Sequence, residues 1–178
     1  DQVDEPECGV VTARFRQVLA ECALKWPKVV FWADSRRRIR DYRNVIIKPN
    51  QFEAVGRDNP LPDDKVEFAE LEWALGPLRQ RIGGPIVATR GAGGMVVSDP
   101  ELTVVPGVRV EGPTDPTGAG DSATSGCVLA LAAGASLPEA ALVGNLVASI
   151  TVEQLATTGT ARPDELVPRL ALWRSQRS

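Results

Sequence analysis

The residues that could do chemistry lie in a run of small and turn-forming residues at positions 111–122, E-G-P-T-D-P-T-G-A-G-D-S. This run leads into an alanine-rich stretch, Ala119 to Ala133, that is typical of a helix. The backbone N–H groups of Gly118, Ala119 and Gly120 lie too early in that helix to have intrahelical acceptors. Together with the positive end of the helix dipole, they form an anion site that suits a phosphate group.

Asp121 adds a carboxylate to the first turn of this predicted helix. A carboxylate would repel a bound phosphate, so phosphate binding does not explain it. A general base beside a phosphoryl group does explain it, because such a base accepts the proton of an attacking hydroxyl group. The alternative is a glycine-rich loop with an aspartate cap, which is common in proteins and stays open on this pattern alone.

The sequence D-P-T-G-A-G-D-S at positions 115–122 resembles the signature of the PfkB, or ribokinase-like, carbohydrate kinases, D-T-x-G-A-G-D. Asp115 matches its first position, and Pro116 stands where the family usually has Thr. The resemblance implies ATP and Mg²⁺ as cofactors and a hydroxyl of a sugar or sugar phosphate as the acceptor. It assigns the anion hole to Gly118, Ala119 and Gly120, and it assigns the role of catalytic base to Asp121.

Three further segments match the family in the same order along the chain. The first, K-P-N-Q-F-E at positions 48–53, resembles the family's P-N-x-x-E segment, whose Asn and Glu help to hold the magnesium and phosphate region through water. The resemblance therefore assigns Asn50 and Glu53 to Mg²⁺, and Lys48 to the nucleotide. A turn at Asn50 with Glu53 in the first turn of a helix is the alternative for this segment.

The second segment, T-R-G-A-G-G at positions 89–94, resembles the T-x-G-x-x-G turn that borders the nucleotide. The resemblance assigns Thr89, Gly91 and Gly94 to nucleotide binding, and a β-hairpin turn is the alternative. The third match is Asn145, which falls where the family has an Asn near the adenine; an Asn on a helix surface is its alternative. The chain has neither a Walker A loop nor a G-x-G-x-x-G fingerprint, which disfavours a dinucleotide-dependent oxidoreductase.

A narrower resemblance is to the heptose-phosphate kinases of ADP-heptose synthesis. The segment Asp41 to Asn44, followed by the K-P-N element, looks like their Y-x-x-A/N lead-in. Gln154 to Thr160 resembles their K-L-G-T-x-x-V segment. Asp34-Ser35-Arg36 departs from the pattern, since these kinases usually carry D-P-K-G there. The resemblance implies a heptose phosphate as the acceptor, with other sugars as the alternative.

The order of elements along the chain is that of an α/β protein. Short apolar runs predict buried strands at residues 29–33, 44–48, 86–89, 95–97 and within 103–110. Helical spacing and capping signals predict helices over residues 12–25, 66–75 and 119–133, and after Ser136 and Pro163. We expect a mainly parallel central sheet with helices on both faces and with ligands at the carboxyl ends of its strands. The resemblance implies the C-terminal half of a ribokinase-like fold.

Composition limits the class of protein further. The chain has 178 residues, is 43% hydrophobic and carries a formal net charge of −3, which fits one soluble domain over residues 1–178. We expect neither a membrane nor a nucleic-acid partner, because no apolar run is long enough to span a bilayer and basic residues are not in excess. The chain has no His, which excludes a His-ligated zinc site and a Ser/His/Asp triad. Three cysteines without a spacing pattern favour a reducing, cytoplasmic location.

The resemblance runs from about Phe31 onward and covers only the C-terminal half of the family pattern. Family members begin with a substrate-binding half that includes a small β lid and a Gly-Gly motif, and nothing in this sequence corresponds to that half. We therefore expect a piece of a kinase that binds ATP weakly by itself and phosphorylates no sugar. A non-catalytic nucleotide-binding or oligomerising module is the alternative, and a homodimer is left open.

Overall fold

The structure is a computed structural model that describes residues 1–177; Ser178, the last residue of the predicted domain, lies outside the described residues. The chain divides into two compact units. The first unit comprises Asp1–Thr89 and Val96–Leu102, and the second comprises Arg90–Met95 and Thr103–Ser178. That residues 1–178 form one nucleotide-binding portion of a larger kinase domain stays a prediction.

The first unit carries parallel strands with helices packed on them. Its helices are α1 (Ala13–Lys25), α2 (Gln51–Val55) and α3 (Phe68–Ile82), with a 3-10 turn at Ile39–Asp41. Its strands are β1 (Trp32–Ala33), β2 (Ile46–Ile47) and β3 (Val87–Thr89). Strands β1 and β2 pair in parallel, Trp32 with Ile46 and Ala33 with Ile47. Parallel bridges from Ile47 to Ile86 and from Asn50 to Thr89 continue this arrangement to β3.

Local sequence explains where these helices begin and which face they bury. The hydroxyl of Thr12 accepts the N–H of Phe15 and caps α1, as the sequence predicts. Helix α3 buries one stripe of side chains at helical spacing, Leu71, Leu75, Leu78 and Ile82. These side chains belong to one apolar cluster with strand residues that include Ile47, Ile86 and Ala88. Burial of this stripe is what fixes the sheet and its strand ends.

Two strands are shorter than the apolar runs that predict them. The run at residues 29–33 contributes only Trp32–Ala33, and the run at 44–48 contributes only Ile46–Ile47. Val29 is exposed, so the start of the first run lies outside the core. The helix predicted through Val66 begins at Phe68. The predicted stretch 103–110 contains one strand, β5, which covers only Thr103–Val105.

The second unit contains β5, a 3-10 turn at Gly91–Gly93, and helices α4 (Ala119–Ala132), α5 (Leu137–Thr151) and α6 (Pro163–Ser175). Strand β4 (Met95–Val97) contributes Met95 to this unit. Helices α4 and α5 approach closely, because a side chain at Gly144 would meet the Cys127 sulfur and would lie 2.9 Å from the Ala123 carbonyl. This packing holds the start of α4 in place.

Helix α5 begins at the capping box that the sequence predicts. The carboxylate of Glu139 accepts the backbone N–H of Ser136 at 2.8 Å and the Ser136 hydroxyl at 2.6 Å. Pro138 lies in the first turn, where its missing N–H costs no hydrogen bond. No helix within residues 1–177 combines the length and the apolar character that a membrane crossing needs.

Candidate active site

The signature loop, residues 115–121, enters α4 through Gly118. Gly118 caps the helix with a φ of +75°, in the left-handed region. A residue with a Cβ is strained there by about 1–2 kcal/mol. A Cβ at this position would also lie 3.3 Å from the Cβ of Thr158. Both the backbone conformation and the packing therefore favour glycine at this point.

The backbone N–H groups at the start of α4 differ in availability. The N–H of Ala119 donates to the carbonyl of Pro116 at 3.0 Å, which corrects the expectation that this group is free. The turn formed at the loop's lead-in supplies this acceptor. The N–H groups of Gly118, Gly120 and Asp121 meet no acceptor within residues 1–177. These three groups are available to an anion, and both the anion site and its binding of phosphate stay predictions.

Asp121 lies in the first turn of α4 with its side chain exposed. Its backbone carbonyl accepts the hydroxyl of Ser125 at 3.0 Å. Its carboxylate makes no hydrogen bond or ion pair with any residue that the structure describes. A carboxylate in this state can accept the proton of a hydroxyl group placed against it. The role of Asp121 as a general base stays a prediction.

Asp115 holds the signature loop in a way that the sequence interpretation did not assign. Its carboxylate accepts the N–H of Thr117 at 2.9 Å and the N–H of Ala156 at 3.1 Å. Its own N–H donates to the carbonyl of Val152 at 2.8 Å. Hydrogen bonds from the side chain and backbone of Thr117, and from Ala156, lower the pKa of the Asp115 carboxyl. The spacing of Asp115 and Thr117, typical of an Asx turn, was the available signal.

The segment that Asp115 reaches is closed by Gln154. The side-chain amide of Gln154 donates to the carbonyl of Thr160 at 2.6 Å and accepts the N–H of Thr160 at 3.0 Å. Thr158, within this closed segment, packs beside Gly118. The segment matched to the heptose-phosphate kinases therefore lies against the signature loop and supports its shape.

The predicted nucleotide turn of the second unit closes tightly. The N–H of Arg90 donates to the carbonyl of Gly94 at 2.8 Å, and the N–H of Gly94 donates to Gly91 at 3.1 Å. A Cβ at Gly94 would clash with the backbone of Val105 and Gly107. The turn therefore lies directly against the chain that follows β5. Thr89, the first residue of the motif, belongs to the first unit.

Asn145 is buried on α5, at 6% exposure, so the alternative of an Asn on a helix surface does not hold. Its side-chain nitrogen donates to the carbonyls of Val105 at 2.9 Å and Pro106 at 3.3 Å. Asn145 and the turn at Gly91–Gly94 thus meet the same short segment after β5. Contact of Asn145 with a nucleotide stays a prediction.

In the first unit, Asn50 and Glu53 form a capping box at the start of α2. The Asn50 side chain accepts the N–H groups of Phe52 at 2.9 Å and Glu53 at 3.0 Å, and Glu53 accepts the N–H of Asn50 at 2.7 Å. This is the alternative that the sequence interpretation left open. Burial raises the pKa of Glu53; the hydrogen bond from Asn50 lowers it, the Asp34 charge raises it and the Lys48 charge lowers it.

Lys48 is buried at the end of β2, with 5% of its surface exposed. Its ammonium nitrogen lies 2.7 Å from a carboxylate oxygen of Asp34. A buried ammonium needs such a partner, because an unpaired charge out of water costs several kcal/mol. The pair uses only part of the ammonium's donor capacity, so Lys48 can also donate to an anion. Its contact with a nucleotide stays a prediction.

Mg²⁺ fits the first unit only as a hydrated ion. No group of three or more Asp, Glu, Cys or His side chains within residues 1–177 is arranged to hold a metal. The Asn50 oxygen already accepts two backbone N–H groups, whereas one oxygen of Glu53 accepts none. Such a donor set suits a Mg²⁺ ion that keeps its waters and is bound mainly by substrate phosphates.

A Glu53→Gln substitution separates the capping role of Glu53 from its predicted role near Mg²⁺. Gln serves in a capping box as well as Glu does, so we expect α2 to stay intact. The charge that would attract a hydrated cation is lost, so we expect a higher Mg²⁺ concentration at half-maximal ATP binding. The Mg²⁺ dependence of ATP affinity measures this effect. An unchanged Mg²⁺ dependence would leave Glu53 with the capping role alone.

The same substitution has a predictable pH dependence. Because the folded pKa of Glu53 is raised above 4.5, its share of the stability is full below pH 4.5 and is lost as the pH rises through the folded value. The Gln variant does not titrate there. We therefore expect its free energy of unfolding to improve relative to wild type as the pH rises through this window. Urea denaturation of both proteins at acidic and neutral pH measures the difference.

A known family pattern covers the stretch of chain that carries these residues. The sequence pattern described as "pfkB family carbohydrate kinase" matches residues 28–164. This span includes the signature loop and every candidate residue of both units.

Curated proteins with similar sequences include two kinds of enzyme. The chain is 40% identical over 175 residues to the bifunctional protein HldE of Shewanella sp. (strain ANA-3), which covers 96% of this chain and 33% of that protein. It is 44% identical over 72 residues to inositol 3-kinase of Arabidopsis thaliana, covering 39% of this chain and 20% of that protein. The chain therefore spans between a fifth and a third of the length of these relatives.

Solved structures of sugar kinases share the fold. Phosphofructokinase-2 from Escherichia coli, in complex with potassium, superposes with a TM-score of 0.70 at 22% identity, over 92% of this chain and 54% of that chain. Ribokinase from Arabidopsis thaliana, complexed with ribose and ATP, gives 0.66 at 16% identity, over 89% and 51%. The predicted α/β, ribokinase-like fold is confirmed, with this chain carrying part of it.

Proposed function

The chain belongs to the pfkB family of carbohydrate kinases, and we propose that its protein transfers the γ-phosphoryl group of ATP to a hydroxyl of a sugar or sugar phosphate. The observation that carries this proposal is the start of α4. The N–H groups of Gly118, Gly120 and Asp121 meet no acceptor within residues 1–177, and they lie within one helical turn of the Asp121 carboxylate, which no described residue engages. One element thus offers both an anion site and a base.

The proposed mechanism assigns a step to each of these groups. The free N–H groups donate to oxygens of the transferring phosphoryl group, whose negative charge is spread over those oxygens in the transition state. The carboxylate of Asp121 accepts the proton of the attacking hydroxyl. The hydroxyl oxygen then bonds to the γ-phosphorus as the bond to the bridging oxygen breaks, and ADP leaves.

The remaining candidate residues are proposed to hold the nucleotide and its metal. Mg²⁺, bound together with ATP, supplies neutralisation of the phosphate charge. The phosphates and their Mg²⁺ are proposed to be contacted by Lys48 directly and by Asn50 and Glu53 through water. The nucleotide turn and the buried amide on α5 are proposed to contact the rest of the nucleotide, through Thr89, Gly91, Gly94 and Asn145.

For the acceptor, we propose a heptose phosphate. Two segments support this choice by their resemblance to heptose-phosphate kinases, Asp41 to Asn44 and Gln154 to Thr160. The second of them packs beside Gly118 in the structure. Identity of 40% to the HldE protein along nearly the whole chain gives further support.

The nucleotide part of the proposal is tested on the 178-residue chain by calorimetric titration with ATP and Mg²⁺. We expect one ATP to bind, and AMP to bind more weakly, because AMP lacks the β- and γ-phosphates. The acceptor part is tested on the full-length protein with a panel of sugars and sugar phosphates. We expect equal amounts of ADP and phosphorylated product, with a heptose phosphate the best acceptor.

Two outcomes would contradict the proposal. A chain that binds no ATP at millimolar nucleotide would contradict the anion site proposed at the start of α4. ATP binding without transfer to any acceptor would favour the alternative, a non-catalytic nucleotide-binding module.

A further inference from the structure

Helix α6 ends against the segment that follows β5, residues 106–109. The indole nitrogen of Trp173 donates to the carbonyl of Pro106 at 2.8 Å. A guanidinium nitrogen of Arg177 donates to the carbonyl of Gly107 at 2.9 Å. The same guanidinium stacks on the Trp173 ring, 3.9 Å from its centroid. Two carbonyls of this segment are therefore held from the end of one helix.

Gln176 adds a two-way pairing with the same segment. Its side-chain oxygen accepts the N–H of Arg109, and its side-chain nitrogen donates to the carbonyl of Arg109, both at 2.9 Å. The amide thus pairs with the backbone as a neighbouring strand would. Because the partners lie 67 positions apart in the sequence, this contact fixes the segment to α6 rather than to its own local chain.

The segment also lies against the predicted nucleotide turn. A Cβ at Gly107 would lie 2.5 Å from the carbonyl of Ala92 and 3.1 Å from the nitrogen of Gly94. The carbonyl of Pro106 accepts from Asn145 as well as from Trp173. The segment therefore connects α6 with the turn and with the Asn145 amide, the two groups of this unit proposed to contact the nucleotide beyond its phosphates.

A cavity of about 370 Å³ borders the turn and the end of α6, and its lining includes Ala92, Gly93, Gly107 and Gln176. The turn continues from β3 and into β4, and its backbone also lies against the segment, which supports it beside this cavity. A shift of the segment would carry the turn with it.

We infer that Trp173, Gln176 and Arg177 are positioning residues for the nucleotide turn. They hold residues 106–109 in place, and that segment in turn holds Gly91–Gly94 and the amide of Asn145. None of the three residues is proposed to contact the phosphates, because the start of α4 is proposed to bind them. This inference rests on the proposed function, since it concerns the affinity for ATP.

The test compares two ligands on the 178-residue chain, ATP with Mg²⁺ and inorganic tripolyphosphate with Mg²⁺. Tripolyphosphate uses the anion site and the groups proposed to lie near Mg²⁺, whereas ATP also needs the turn. We expect Gln176→Ala to weaken ATP binding about tenfold, because two hydrogen bonds that hold the segment are lost. We expect tripolyphosphate affinity to stay within about twofold, because the substitution leaves the anion site untouched. The tenfold loss for ATP corresponds to about 1.4 kcal/mol of binding free energy. Calorimetry measures both affinities.

Two further variants are useful, one as a second test of the inference and one as a control for a general loss of structure. Trp173→Phe keeps a ring for Arg177 to cover but removes the donor to Pro106, so we expect a smaller, selective loss of ATP affinity. Glu153→Gln removes the ion pair between Arg169 of α6 and the chain after α5, away from the segment. We expect this control to leave both affinities unchanged.

The outcomes separate the inference from the proposed function. Equal losses for ATP and tripolyphosphate in Gln176→Ala, or no loss in variants with wild-type circular dichroism, would overturn the inference. A wild-type chain that binds neither ligand would instead overturn the proposed function, and the inference with it.

Discussion

Replacing Asp121 with Asn is expected to lower the kcat for phosphoryl transfer by about 10²–10⁴-fold, the usual contribution of a positioned general base. The Kd for ATP should change little, because the N–H groups of the anion site remain. Asn keeps the size and polarity of the side chain but cannot accept the hydroxyl's proton. Steady-state kinetics on the full-length protein give kcat, and calorimetry gives the Kd.

Asp164→Asn is a matched control for this prediction. Asp164 is also an acid in the first turn of a helix in the second unit, so its loss removes the same favourable charge at a helix start. We expect its kcat to equal that of wild type. If Asp121→Asn turned over at the wild-type rate, Asp121 would contribute only a favourable charge at the helix start and would not be the base.

Gly118→Val is expected to abolish measurable ATP binding. Its Cβ would press on Thr158, the left-handed backbone would be strained, and one N–H group of the anion site would be displaced. A hydrogen bond to a charged group contributes about 1.5–3 kcal/mol, so loss of this single donor weakens binding by about ten- to a hundredfold. Distortion of the neighbouring donors adds to this loss. Gly120→Val should weaken binding with less effect on folding, because Gly120 is within α4.

The matched control for backbone strain is Gly134→Val, at the other end of α4. Gly134 has a φ of +92° and nothing near its Cβ position, so Val is strained there without touching the signature loop. We expect lower stability and unchanged ATP affinity. Equal ATP affinities for folded Gly118→Val and Gly134→Val would show that the signature loop is a structural turn.

Much of the fold follows from local sequence signals. The cap at Thr12 and the box at Ser136 and Glu139 are short-range patterns with a physical cause, and each occurs where the pattern predicts it. The succession of strands and helices along the chain follows because apolar runs alternate with segments of helical spacing. Strand lengths do not follow, since hydrogen bonding to a neighbouring strand decides where a ladder ends. Val29 belongs to an apolar run and yet is exposed.

The candidate site was less completely predictable. The spacing of Asn50 and Glu53 fits both a capping box and a magnesium-linked segment, and only the structure shows that the box forms. The N–H of Ala119 was expected to be free, but its acceptor on Pro116 depends on the path of the loop before the helix. The contacts of Trp173, Gln176 and Arg177 join residues 67 to 70 positions apart, and no local pattern indicates them.

The most direct test of the central claim is an amide ¹H–¹⁵N spectrum of the 178-residue chain during titration with ATP and Mg²⁺. Protons that donate to phosphate oxygens move downfield because a charged acceptor polarises the N–H bond. We expect the amides of Gly118, Gly120 and Asp121 to show the largest downfield shifts, and we expect tripolyphosphate to reproduce them. Saturation with ATP that leaves these three amides unmoved would contradict the assignment of the phosphate site to the start of α4.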